Sequence, residues 1–325
     1  MKLPRRQFLH LAAGAAALPF VPRIARAQAY PTRPVRIVVP GAAGNTIDIL
    51  ARLIGQSLSE RLGKPFIVEN RPGAGTNIGT EAVVRAPADG YTLLLIAPGN
   101  VINPTLYDKL NFNFISDIAP VASIFRGANV IVANPSFPAK TVPEFIAYAK
   151  ANPGKLNYGS AGIGTSTHVS VELFKMMAGV DLVHVPYRGT APLLADLISG
   201  QMQVTFDNVS TSIEYIRSGK LRALAVTSEA RSELLPEIPT VGEFLSGYEA
   251  SAVDGIGVPR NTPADVIDRL NKEINAALAD PKIKTLFADL GGTVLPGSPA
   301  DFGKVIADET EKWGKVIRGA YIKPE

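Results

Sequence analysis

Val35-Arg36-Ile37-Val38-Val39 is a short run rich in β-branched residues, stopped by Pro40 and the loop Gly41-Ala42-Ala43-Gly44-Asn45. Behind it Ile47, Leu50, Ala51, Ile54, Leu58 and Leu62 recur at spacings of three and four until Gly63. That is a strand, a small-residue loop and an amphipathic helix ended by glycine. Phe66-Ile67-Val68 is a second strand. The turn Pro72-Gly73-Ala74-Gly75 leads to a helix through Glu81, Ala82 and Val84, and Tyr91 to Ala97 is a third strand, almost wholly apolar. An apolar strand of that kind belongs to a parallel sheet covered on both faces. Three strand–helix units in this order predict a doubly wound open α/β sheet.

The pattern restarts near Asn129. Val130-Ile131-Val132 is a strand, and Thr141-Val142-Pro143-Glu144 has the form of a capping box that opens a helix to about Lys150. Strand Leu156-Asn157-Tyr158 runs into the loop Gly159 to Ser166, followed by a helix through Val171, Leu173 and Phe174. Strand 182–185, helix 191–197, strand 203–206, a short helix near Ile213 and the apolar run 221–226 complete this block. After Gly255-Ile256-Gly257-Val258 come helices over 262–279, 283–290 and 298 to about 317. The 325 residues are enough for two α/β lobes with cores. The expected division is lobe 1 over 30–127 plus 251–325, with lobe 2 over 128–250 inserted into it.

The formal charge of +4 suggests a polyanion as partner until the charges are located. Residues 1–27 hold Lys2, Arg5, Arg6, Arg23 and Arg26 and no acid. Arg5-Arg6-Gln7-Phe8-Leu9, the soft apolar run Leu11 to Val21 and Ala25-Arg26-Ala27 read as a charged region, a short hydrophobic region and a small-x-small cleavage site. The paired arginines resemble a twin-arginine export signal. The run is interrupted by Pro19 and followed by Pro22, and is shorter than the ~18–20 apolar residues that span a bilayer. Cleavage is expected after Ala27 or Ala29, with the mature chain in the periplasm. What remains has 28 basic and 29 acidic residues, a net of −1. That removes nucleic acid as a partner.

The absence of cysteine excludes disulfides, thiolate metal sites and a cysteine nucleophile. Only His168 and His184 remain after the signal, and no metal or cofactor is expected. Gly73-Ala74-Gly75-Thr76-Asn77-Ile78-Gly79 has the spacing G-x-G-x-x-x-G rather than the dinucleotide fingerprint, so it reads as a tight turn. Ser160 follows a strand with Gly162 two residues on, but Tyr158 stands where a hydrolase elbow has glycine. A serine hydrolase would need His184 as its base.

Two loops stand out by placement, 40–45 and 159–167. Each follows a strand in a different lobe, is rich in Gly, Ala, Ser and Thr, and leads into a helix. Small residues admit a ligand to the backbone, and a helix's first turn offers free N–H groups to an anion. Thr165, Ser166 and Thr167 add hydroxyl donors.

At these residues the chain resembles the periplasmic solute receptors of tripartite tricarboxylate transporters, the Bug receptors. The likeness runs through the mature chain: Tyr30-Pro31-Thr32-Arg33-Pro34-Val35, Val68-Glu69-Asn70-Arg71-Pro72-Gly73-Ala74-Gly75, Asp89-Gly90-Tyr91-Thr92-Leu93, Asn152-Pro153-Gly154-Lys155-Leu156, Ser160-Ala161-Gly162 with Gly164-Thr165 and His168, and His184-Val185-Pro186-Tyr187-Arg188-Gly189. The resemblance implies a type II periplasmic-binding-protein fold that closes as a clamshell on a small organic carboxylate. It also implies delivery to integral-membrane permease subunits, by a monomer with no catalytic activity. The ligand residues it implies are Gly41, Ala42, Ala43, Gly44 and Asn45 in one lobe and Ser160, Gly164, Thr165, Ser166, Thr167 and His168 in the other. Asp207, just after the strand ending in Phe206, is implied at the pocket floor. Two segments depart from the family. The usual Pro-Phe-x-x-Gly-Gly is here Pro40-Gly41-Ala42-Ala43-Gly44-Asn45, and a usual Trp-aromatic-Gly is Val253-Asp254-Gly255. Trp313 is expected to be a packing residue. Two other readings stand beside it: a secreted serine hydrolase using Ser160, and a periplasmic sensor subunit, which needs the same fold and pocket, presenting its ligand to a signalling receptor.

Overall fold

Val35–Val39 forms strand β1, four of its five residues buried. The computed structural model describes residues 30–324, so the export signal expected over 1–27 lies outside the described residues. β1 lies between β2 (Phe66–Asn70) and β3 (Thr92–Ile96) and runs parallel to both. Helix α1 (Thr46–Leu62) connects the first two, burying Leu50, Ala51, Ile54 and Leu58 on one face. Its ends are fixed locally. The Asn45 side chain accepts from the Asp48 N–H, and Gly63 adopts φ 67°, a left-handed cap that suits glycine. A tight turn at Ala74–Thr76 leads into α2 (Asn77–Val84).

Beyond β3 the chain does what the strand–helix pattern did not predict. It forms α3 (Pro98–Leu106), the single turn α4 (Phe114–Asp117) and a ten-residue strand, β4 (Ile118–Gly127). Ala128 alone separates β4 from β5 (Asn129–Ala133), which belongs to a second sheet. That sheet is built from β5, α5 (Val142–Ala151), β6 (Asn157–Ser160), α6 (Ser166–Ala178), β7 (Val183–Pro186), α7 (Thr190–Ser199), β8 (Val204–Asn208), α8 (Val209–Arg217) and β9 (Arg222–Val226). Its order is β7-β6-β8-β5-β9; β6 is parallel to β7 and β8, whereas β5 is antiparallel to β8 and β9.

The chain then returns to the first sheet as β10 (Ala252–Pro259), inserted between β3 and β4 and antiparallel to both. After α9 (Ala264–Leu278) and α10 (Pro281–Asp289), β11 (Gly292–Val294) closes the edge on β4, giving the order β11-β4-β10-β3-β1-β2. Neither sheet is purely parallel, because each takes in strands that arrive from the crossings instead of through a βαβ unit.

The two crossings are tied together at Thr227, which is fully buried. Its hydroxyl accepts from the Asn129 N–H at 2.9 Å and donates to the Ala250 carbonyl at 3.0 Å, and the Ala250 N–H donates to its own carbonyl. The last helix, α11 (Pro299–Gly319), packs against α3 and α6. It buries Trp313, Val316 and Ile317 in a cluster that also holds Val38 and Leu94 from the first sheet and Ile131 and Phe206 from the second. Trp313 is a packing residue, its ring N–H donating to Glu309 at 2.7 Å. Residues Arg33–Glu325 form one compact unit.

Candidate functional site

The carboxyl ends of β1, β2, β3, β6 and β8 all open onto one cavity of about 290 Å³. From the first sheet it is lined by Asn45, Gly75, Thr76, Pro98 and Gly99, and from the second by Gly164–Thr167, Asn208 and Ser210. Ala252 and Asp254 of β10 and Phe125 of β4 close it. Ligands of open α/β sheets bind at this end of the strands. Four helices begin at the wall: α1 at Thr46, α3 at Pro98, α6 at Ser166 and α8 just after Asn208. First-turn N–H groups have no carbonyl partner within their own helix, and with the helix dipole they favour negative charge. Among the described residues no lysine, arginine or histidine lines the cavity, and Asp254 is the one ionisable lining residue.

The loop before α6 is held by its own side chains. The Thr165 hydroxyl donates to the Gly162 carbonyl at 2.7 Å and lies 2.8 Å from the Thr167 hydroxyl. Thr167 accepts from the Ala161 N–H at 2.9 Å, and the His168 Nδ1 accepts from the Gly164 N–H at 3.1 Å. Those two hydroxyls are engaged in shaping the loop, so the free donors it presents are backbone N–H groups and the Ser166 hydroxyl. Burial, and then Lys175, push His168 down to about 4, which keeps the ring neutral and its Nδ1 an acceptor. The His168 ring stacks on His184 with centroids 3.9 Å apart.

The expected residues separate into three groups. Asn45, Gly164, Thr165, Ser166 and Thr167 line the cavity. Ala42, Ala43 and Gly44 are exposed on a loop beside it, and Gly41 is partly exposed; the Gly44 N–H donates to Asp48 and the Gly41 carbonyl accepts from Asn70, which fixes the entry into α1. Ser160, His168 and Asp207 lie behind the wall. The Thr211 and Ser212 hydroxyls donate to Oδ2 of Asp207; burial pushes its carboxyl up to about 6 and those two bonds pull it back.

Ser160 does meet His184, Oγ to Nε2 at 2.6 Å, the pairing a hydrolase would need. The serine is fully buried and outside the cavity. Burial and the neighbouring His168 push His184 down to about 3, a poor base near neutral pH.

Several lining residues escaped the sequence reading. Thr76 holds φ 90°, a conformation rare for a β-branched residue, on the turn before α2. Asn103 ties that turn down, its amide donating to the Gly75 carbonyl and to Asn77. Asn208 ends a strand and caps the helix in whose first turn Ser210 lies, so the rule that found the loops at 40–45 and 159–167 reaches them too. Asp254 sits mid-strand, where no loop rule points.

A family model described as the tripartite tricarboxylate transporter family receptor matches residues 50–321. The chain belongs to this receptor family. The receptor is 35% identical to the protein BugT of Bordetella pertussis, over 91% of this chain and 93% of BugT. It is 37% identical to a protein from the tcbD–tcbE intergenic region of Pseudomonas sp. strain P51, over 91% of this chain and 88% of that one. Among solved structures, a protein of R. palustris with adipate has a TM-score of 0.82 at 37% identity, covering 91% of this chain and 100% of that chain. MatC from Rhodopseudomonas palustris with bound malate has a TM-score of 0.77 at 31% identity, covering 89% and 100%. The fold is therefore the type II periplasmic-binding-protein fold, and the family is one of periplasmic solute-binding receptors.

Proposed function

We propose that this receptor captures a small organic carboxylate and delivers it to the integral-membrane permease subunits of a tripartite tricarboxylate-type transporter. It works in the periplasm as a monomer, after loss of a twin-arginine-type signal over residues 1–27. Residues 30–127 with 251–325 form one lobe and 128–250 the other, and they close on the ligand by a hinge through the crossings at Ala128 and Thr227. The observation that carries this reading is the meeting of four helix N-termini, two from each sheet, on one cavity. Such a site holds carboxylate oxygens by backbone N–H groups from both sides, and it loses half of them when the lobes part. Adipate and malate in two related structures are carboxylates of the size the cavity admits.

In this reading Asn45, Gly164, Thr165, Ser166 and Thr167 face the ligand, while Gly41, Ala42, Ala43 and Gly44 set the entry into α1. Ser160, His168 and Asp207 shape the wall from behind. Titration calorimetry tests it, on mature protein unfolded and refolded to strip carried-over ligand, against mono-, di- and tricarboxylates, aromatic acids and amino acids. Saturable binding of a panel member is expected. Silence across the whole panel overturns the reading.

A further inference from the structure

Asp254 lies on the central strand of the first sheet, and alternation along β10 puts it and Ala252 on the cavity side. Val253 between them turns the other way, toward Phe302 and Trp313. Asp254 is 2% exposed, and its Oδ1 has no hydrogen-bond partner among the described residues. Its environment supplies no counter-charge either: no ion pair to it is formed among the described residues, and no basic side chain lines the cavity. Burial alone pushes its carboxyl up to about 7. Across the cavity the Ser210 Oγ, from the second sheet, is likewise buried without a partner.

An unpaired buried carboxylate oxygen carries a desolvation penalty that folding leaves uncompensated. Here it stands on the wall of a cavity where a ligand could meet it. The helix N-termini around the cavity attract the ligand's carboxylate, but Asp254 repels a second one, and there is no cation to neutralise the encounter. A ligand that satisfies both halves of the site has a carboxylate at one end and a cationic donor at the other. We propose that Asp254 receives the protonated amino group of the ligand, so that the receptor selects zwitterionic amino carboxylates over plain dicarboxylates of the same length. This inference rests on the carboxylate-receptor reading and names its substrate class.

The test is titration calorimetry at pH 7.5 on the stripped mature chain with probes matched in length. The probes are 4-aminobutanoate against succinate, 5-aminopentanoate against glutarate, and aspartate and glutamate as α-amino dicarboxylates. At least one amino-bearing probe is expected to bind ten times or more tightly than its plain counterpart. Asp254→Asn, which keeps the shape and removes the charge, should weaken amino-bearing probes at least tenfold and strengthen the plain dicarboxylates. Asp254→Ser serves if the amide variant fails to fold, and a thermal melt of each variant separates lost binding from lost structure. Plain dicarboxylates binding as well as or better than the amino-bearing probes would overturn the proposal and leave the carboxylate reading standing. So would unchanged amino-probe affinity in a folded variant. Absence of binding by either kind would overturn this proposal, and the carboxylate reading falls with it only if the full panel of mono-, di- and tricarboxylates, aromatic acids and amino acids is silent too.

Discussion

Thr165, on the loop that lines the cavity, acts through the backbone. Its hydroxyl bonds the Gly162 carbonyl and touches Thr167, so it sets the loop from which Ser166 and Thr167 present their N–H groups. Thr165→Val removes one such bond, about 1 kcal/mol; carboxylate affinity should fall roughly five- to tenfold, read by calorimetry, with the melting temperature little changed. Asp254 gives a pH signature instead. Its folded-state carboxyl titrates near 7, above the unfolded value of 3.8, so the folded protein holds the extra proton between those limits. Its contribution to stability is full below about pH 4 and is lost as pH rises through 7. Asp254→Asn has no such proton to lose. The difference in melting temperature, variant minus parent, should therefore move in the variant's favour from pH 5 to pH 8; a flat difference would mean the carboxyl titrates normally. Asp207, His168 and His184 titrate in both proteins and cancel in the comparison.

At the scale of elements, what was legible depended on how local the cause was. α1 could be read because its apolar spacing, the Asn45 cap and the Gly63 stop all lie within its own span. β4 could not. Pro120 interrupts its alternation, and its ten residues are a strand because β10, more than a hundred residues later, pairs along them. α3 carries Gly99 and, inside the helix, Pro104, poor helix formers, and is held by packing against α11. The same division runs through the site. The loops at 40–45 and 159–167 follow a local strand-to-helix rule, whereas Asp254 reaches the cavity only because β10 is inserted antiparallel between β3 and β4. Gly99 tests the junction of two elements. A methyl group there would come within 2.9 Å of the Gly75 carbonyl and 2.8 Å of Thr76. Gly99→Ala should displace the strained turn at Gly75–Thr76 and weaken ligand binding by tenfold or more while the protein still folds, seen as normal circular dichroism with reduced calorimetric affinity.

For the whole molecule the decisive region is small. Both crossings between the sheets meet at Thr227, and their hydrogen bonds are buried. Thr227→Val keeps the volume but leaves the Asn129 N–H without its acceptor and takes a donor from the Ala250 carbonyl. It should cost about 1–3 kcal/mol of stability, measured by denaturant unfolding. A loss much below that would mean water replaces the hydroxyl.

Trp313 has a use that its packing role conceals. It is the single tryptophan of the chain, on the helix that packs against α3 and α6. Its ring shares a small gap with Ser166, at the start of α6, and with Val253, the neighbour of Asp254. All indole emission thus comes from one ring beneath the cavity wall. If the lobes close as proposed, the protein carries its own optical probe of that motion, and a titration followed by fluorescence needs no label.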